Sequence, residues 1–144
     1  MIQVTVKGAP TAKAAKIVGK AVINSPLFKC AIAGDDPNVG RLLAVVGRVS
    51  DDLDIDASRA RLSLGGEVVF ESGKFCISPS TEAEIFRQFN NAGMVAEDGV
   101  HLPYPPHFRN VEIEVDLGAG SESATVYGSD LTLEYVRINA DYRS

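Results

Sequence analysis

Residues 111–128 read VEIEVDLGAGSESATVYG, and the reading of this stretch decides the fold class. Val111, Ile113 and Val115 alternate with Glu112, Glu114 and Asp116, the period of two that marks a half-buried strand. AGSES then turns the chain and ATVYG pairs back as a second strand. The same stretch contains GAGSES, which imitates the opening of a dinucleotide-binding fingerprint. Ser123 stands where the third glycine is required, and strand-like sequence follows where a helix N-terminus would have to hold pyrophosphate. The stretch is a hairpin.

Working outward, residues 2–8 (IQVTVKG) alternate in the same way, and the reading predicts a helix from Thr11 to Ser25-Pro26. Its apolar stripe is Ala14, Ile17, Val18, Ala21 and Val22. LFKCAIAG (27–34) is a nearly continuous apolar run and reads as a strand covered on both faces. Asp36-Pro37 predicts the start of a second helix, with Gly47 as its C-terminal cap. Residues 59–75 form two strands about a Gly65-Gly66 turn. Ser78-Pro79 opens a helix that turns Ile85, Phe86 and Phe89 inward. A proline-rich loop follows, and DLTLEYVRIN (130–139) reads as a last strand. The class is α+β, a mixed sheet or sheets covered by helices, with strands from both chain ends sharing a sheet.

With 144 residues and 45% hydrophobic content, the chain is long enough for one domain with a real core. It has no apolar run long enough to span a membrane, and its N-terminus lacks the layout of a signal peptide. Cys30 and Cys76 share no metal-ligand spacing and read as buried thiols of a reducing compartment, cytoplasmic or organelle matrix. Net charge is −5, yet residues 1–34 hold five lysines and no acid. Lys13, Lys16 and Lys20 make a basic stripe, but without arginine clusters or interleaved aromatics it reads as a solvated helix face, not a nucleic-acid site.

Three motifs tempt. DDLDID (51–56) spaces carboxylates like a calcium loop, but Ala57 and Ser63 occupy the places of the required glycine and bidentate glutamate. His101 and His107 flank LPYPP without a cysteine or carboxylate at ligand spacing, and no Gly-x-Ser-x-Gly elbow exists. No metal site is expected. AGDDPNVGR (33–41) is more specific: two acids, a proline, an asparagine and two glycines in one turn before a helix, where functional residues are often held.

That turn, INSPLFKCAIAG before it and DLTLEYVRINADYRS at the end together resemble the bifunctional glutamate N-acetyltransferase/ornithine acetyltransferases of arginine biosynthesis. The likeness covers essentially the whole chain and is strongest at residues 24–48 and 111–144. It implies the C-terminal part of the β chain of an αββα-type N-terminal-nucleophile-like acetyltransferase, as one domain over residues 1–144. In such enzymes the precursor cleaves itself ahead of a threonine, whose hydroxyl then takes acetyl from N2-acetylornithine and passes it to glutamate. None of Thr5, Thr11, Thr81, Thr125 and Thr132 has the Gly-Thr-Met-like context of that nucleophile, so no catalytic residue is expected in this chain. Val39 departs from the tryptophan that relatives tend to carry.

The resemblance further implies that Asn139 and Ser144 contact the acetylated amino acid, an amide and a hydroxyl that can donate and accept. The implied partners are N2-acetylornithine, glutamate, the α chain and the remainder of the β chain in a heterotetramer. No cofactor is implied, and use of acetyl-CoA as a co-substrate stays open. So does a rival class, a non-catalytic relative that binds a small molecule or a partner, and so does a hydrolase with the same kind of nucleophile.

Overall fold

The computed structural model describes residues 1–93 and 110–141. Its centre is a six-stranded mixed sheet in the order β4-β3-β2-β5-β1-β6. The strands are β1 (Ile2–Ala9), β2 (Arg61–Leu64), β3 (Glu67–Glu71), β4 (Lys74–Phe75), β5 (Val111–Asp116) and β6 (Glu122–Gly128). β1 runs parallel to β5 and antiparallel to β6, with Val4 opposite both Ile113 and Val126. All other neighbours are antiparallel. The alternation read from residues 111–116 and 2–8 sets the two faces. Ile2, Val4, Val6, Val111, Ile113, Val115, Leu62 and Leu64 are buried on one side. On the other, the Thr5 and Thr125 hydroxyls meet at 3.1 Å and Lys7 pairs with Glu114. One face toward a core and one toward water is the usual state of a largely antiparallel sheet.

Helices cover the apolar face. α1 (Ala12–Ile23) lies on β1 and β6, and the Thr11 hydroxyl caps it by accepting from the Ala14 amide at 3.0 Å. Val18 and Val22 are buried as the stripe predicts, whereas Ile17 lies at its edge, 37% exposed. Gly19 lets this helix approach closely, since a Cβ there would stand 2.8 Å from a Val126 methyl. Gly120, in the β5–β6 turn, has no room for a Cβ against the Ala9 carbonyl. The hairpin at Gly65-Gly66 and the helix α4 (Pro79–Asn91) form as read, α4 burying Ile85 and Phe89 while Phe86 stays half exposed.

Two predicted strands are helices. Residues 26–33 form α2 (Pro26–Ala33), in which Phe28, Ala31 and Ile32 fall on one buried face at helical spacing. Ser25-Pro26, read as the end of α1, also starts α2, with Ser25 as N-cap and Pro26 in the first turn. The final apolar run is α5 (Leu133–Ala140), begun by Thr132, whose hydroxyl accepts from the Tyr135 amide at 3.1 Å. The N-terminal strand therefore shares its sheet with β5 and β6 and not with the chain's last element. α3 (Val39–Asp52) is capped by Asn38, which accepts from the Arg41 amide at 3.0 Å. Asp36 instead accepts from the Asn38 side-chain amide at 2.9 Å, and Gly47 sits inside the helix. Both cysteines, Cys30 and Cys76, are exposed rather than buried. Asp51 and Asp52 end α3, and Asp56 caps the short 3-10 turn Ala57–Arg59.

Candidate functional site

The turn between α2 and α3 is built from backbone hydrogen bonds. The Gly34 amide donates to Cys30 at 3.1 Å and the Asp36 amide to Ala31 at 2.9 Å, which folds the chain back over the end of α2. Asp35, between them, has φ of 52°, a left-handed conformation that aspartate tolerates better than most residues. Asp130, the residue two before the α5 cap, lies near enough for its charge to act on the Asp35 carboxyl. The two line a cavity of about 200 Å³ with Ile32, Phe89 and Val111 behind them. Partial burial, and then the negative charge of Asp130, push the Asp35 carboxyl above the ordinary carboxylate range. The Leu131 amide reaches the Lys29 carbonyl at 3.4 Å and ties the approach to α5 to the middle of α2.

Segments that are distant in sequence thus meet at one end of the sheet: α2, the AGDDPN turn and the entry to α5. Sequence reasoning singled out the turn but not the meeting of Asp35 with Asp130, because no local pattern links residues separated by most of the chain.

Asn139 lies in the last turn of α5, about 10 Å along the axis from the Thr132 cap. Its side-chain NH2 donates to the Tyr135 carbonyl at 2.8 Å, and its amide oxygen has no partner among the described residues. α5 buries none of its residues: Leu133 is 80% exposed and Ile138 63%. Asn139 is therefore exposed, with an amide oxygen to which no described residue donates. Ser144, His101 and His107 lie outside the described residues. Among the described residues no helix is long and apolar enough to cross a membrane.

An α+β sheet with a carboxylate-lined end and a presented amide is one setting; known proteins supply the rest. The model of the ArgJ family matches residues 1–144, and the chain belongs to that family. It is 39% identical over 142 residues to the arginine biosynthesis bifunctional protein ArgJ of Rhodococcoides fascians, covering 99% of this chain and 31% of that protein. It is 38% identical to the glutamate N-acetyltransferase Oat2 of Streptomyces clavuligerus, and 37% to a glutamate N-acetyltransferase of Methanosarcina acetivorans. Each match covers 99% of this chain and 32% of the relative. The crystal structure of arginine biosynthesis bifunctional protein argJ from Bacillus halodurans superposes with a TM-score of 0.78 at 28% identity, covering 98% of this chain and 57% of that one. The chain thus spans about a third of the length of the curated relatives it matches, and the mixed sheet with its helices has the fold of the corresponding part of an ArgJ protein.

Proposed function

We propose that this chain is the C-terminal domain of an ornithine acetyltransferase β chain, supplying scaffold and one wall of the substrate pocket. The whole enzyme moves acetyl from N2-acetylornithine to glutamate, and acetyl-CoA is an additional donor to be tested. The observation that carries this reading is the ArgJ-family match over residues 1–144, together with the names of the relatives.

In this reading the nucleophile is a threonine made N-terminal by autocatalytic cleavage, on a segment outside this chain. A hydroxyl is inert near neutral pH without a base, and the freed α-amine beside it serves as one. Backbone or hydroxyl donors of the α chain hold the oxyanion that forms at the acetyl carbon, usually the largest electrostatic contribution. Asn139 and Ser144 hold the acetylated amino acid while that chemistry proceeds. The unpartnered amide oxygen of Asn139 suits a donor on the substrate. The assembly is an α/β heterotetramer of the cytoplasm, or of the mitochondrial matrix in a eukaryote, and needs no cofactor.

Two measurements test this. In the complete enzyme, Asn139→Ala is expected to raise KM or lower kcat/KM by about 1–3 kcal/mol, the cost of one lost buried hydrogen bond; unchanged kinetics remove Asn139 from the pocket. The isolated chain is expected to transfer no acetyl from N2-acetylornithine to glutamate. Turnover by it would refute the division of labour.

A further inference from the structure

A second concave surface lies where α2 and α3 both begin. The groove holds about 480 Å³. Its apolar lining is Pro26, Leu27, Ala44 and Val45, and Arg41 and Arg48 line it as well. Leu27 is 66% exposed at its mouth. The size and the mostly apolar lining with a few polar groups are those of a small-molecule site.

The charges in the groove are all of one sign. Among the described residues no carboxylate lines it. Arg41 donates one guanidinium N–H to the Leu27 carbonyl at 2.9 Å, which fixes the head at the lip and leaves the rest of its fork unpaired among the described residues. Arg48 has no ion-pair or hydrogen-bond partner among the described residues. The two arginines stand seven residues apart on α3, about two turns or 10 Å along one side of the helix. Ser25 and Asn38, the N-caps of α2 and α3, also line the groove, so the positive ends of two helix dipoles lie on the side of Arg41, while Arg48 stands near the other end of α3. A planar guanidinium is matched to carboxylate and phosphate oxygens. An apolar lining beside it favours a ligand with a hydrocarbon stem behind the anionic head.

We propose that this groove binds a small molecule bearing a carboxylate or phosphate head on an apolar stem. The head engages Arg48 and the free part of the Arg41 fork, and the stem lies over Leu27, Ala44 and Val45. This site is independent of the acetyl-transfer reading and of Asn139, and binding can be measured without turnover.

The test is calorimetric titration of the whole chain with octanoate, octyl phosphate, octanol and inorganic phosphate, with amide chemical shifts to locate each probe. Saturable binding of octanoate or octyl phosphate, with shifts at Gly40 and Ala44, is expected, and the stronger of the two identifies the head. Arg48→Gln, at an exposed position, should weaken that binding about tenfold or more, as for a lost hydrogen bond to a charged group. Leu27→Asp should abolish it, with the thermal transition of both variants confirming that they fold. The proposal is overturned if neither anionic probe saturates in the millimolar range, if octanol or phosphate alone binds as well, or if both variants leave binding unchanged.

Discussion

Asp35 and Asp56 are two acids with opposite responses to pH. The hydroxyl and then the backbone amide of Ser58 donate to the Asp56 carboxylate and hold it below the ordinary range. Its ionised form therefore favours the folded state, and that contribution is lost as pH falls through the lowered value. Asp35 is raised, by partial burial first and by Asp130 second. Its ionisation costs more in the folded chain than in the unfolded one. Stability is accordingly full below the ordinary carboxylate range and partly lost as pH climbs past the raised value. Asp130→Asn removes the second cause and leaves the first. The Asp35 carboxyl, followed by NMR, should then titrate lower than in the parent chain, and less stability should be lost as pH is raised from below the ordinary carboxylate range through the raised value. An unmoved titration would mean that the two carboxyls do not sense each other.

Helix starts separate what was legible in the sequence from what was not. Asp36-Pro37 carries the signature of a cap followed by a first-turn proline, and the helix was expected there. The structure begins α3 two residues later, because Asn38 reaches the Arg41 amide while Asp36 is turned toward Asn38. The two readings give different measurements. Asn38→Ala should cost about 1 kcal/mol in chemical denaturation, as for a lost N-cap, and Asp36→Ala clearly less. Equal losses would return the cap to Asp36. β1, α1, the Gly65-Gly66 hairpin and β5 were legible because period and punctuation agreed. α2 was not, since a short apolar run looks alike in a buried strand and a buried helix. α5 was not, because Leu133, Tyr135, Val136 and Ile138 fall around the whole helix and present no apolar stripe. Glu134 in its first turn and Thr132 before it were the missed signals. Of the site, the AGDDPN turn stood out by composition and Asn139 by family likeness; the Asp35–Asp130 meeting exists only in three dimensions.

For the molecule as a whole, α5 is the anomaly. Its Leu133, Tyr135, Val136 and Ile138 are interleaved with Glu134, Arg137 and Asn139, and burying each large apolar side chain would be worth about 1.5–3 kcal/mol. Here all four are exposed among the described residues. Large apolar side chains exposed together on one short helix are what an interaction site offers. The isolated chain should therefore associate as its concentration rises. Leu133→Glu with Ile138→Glu should return it to a monomer in sedimentation velocity, with the sheet and its melting transition intact; unchanged association would place the contact elsewhere on the surface. The sheet order has a consequence of its own, in time rather than space. β1 is flanked on both sides by β5 and β6, and residues 10–110 lie between it and either neighbour. It is therefore synthesised well before either strand onto which it zips. Closing the sheet must wait for β5 and β6, and pairing across so long a stretch of chain is intrinsically slow and leaves the edges of β1 open to association in the meantime.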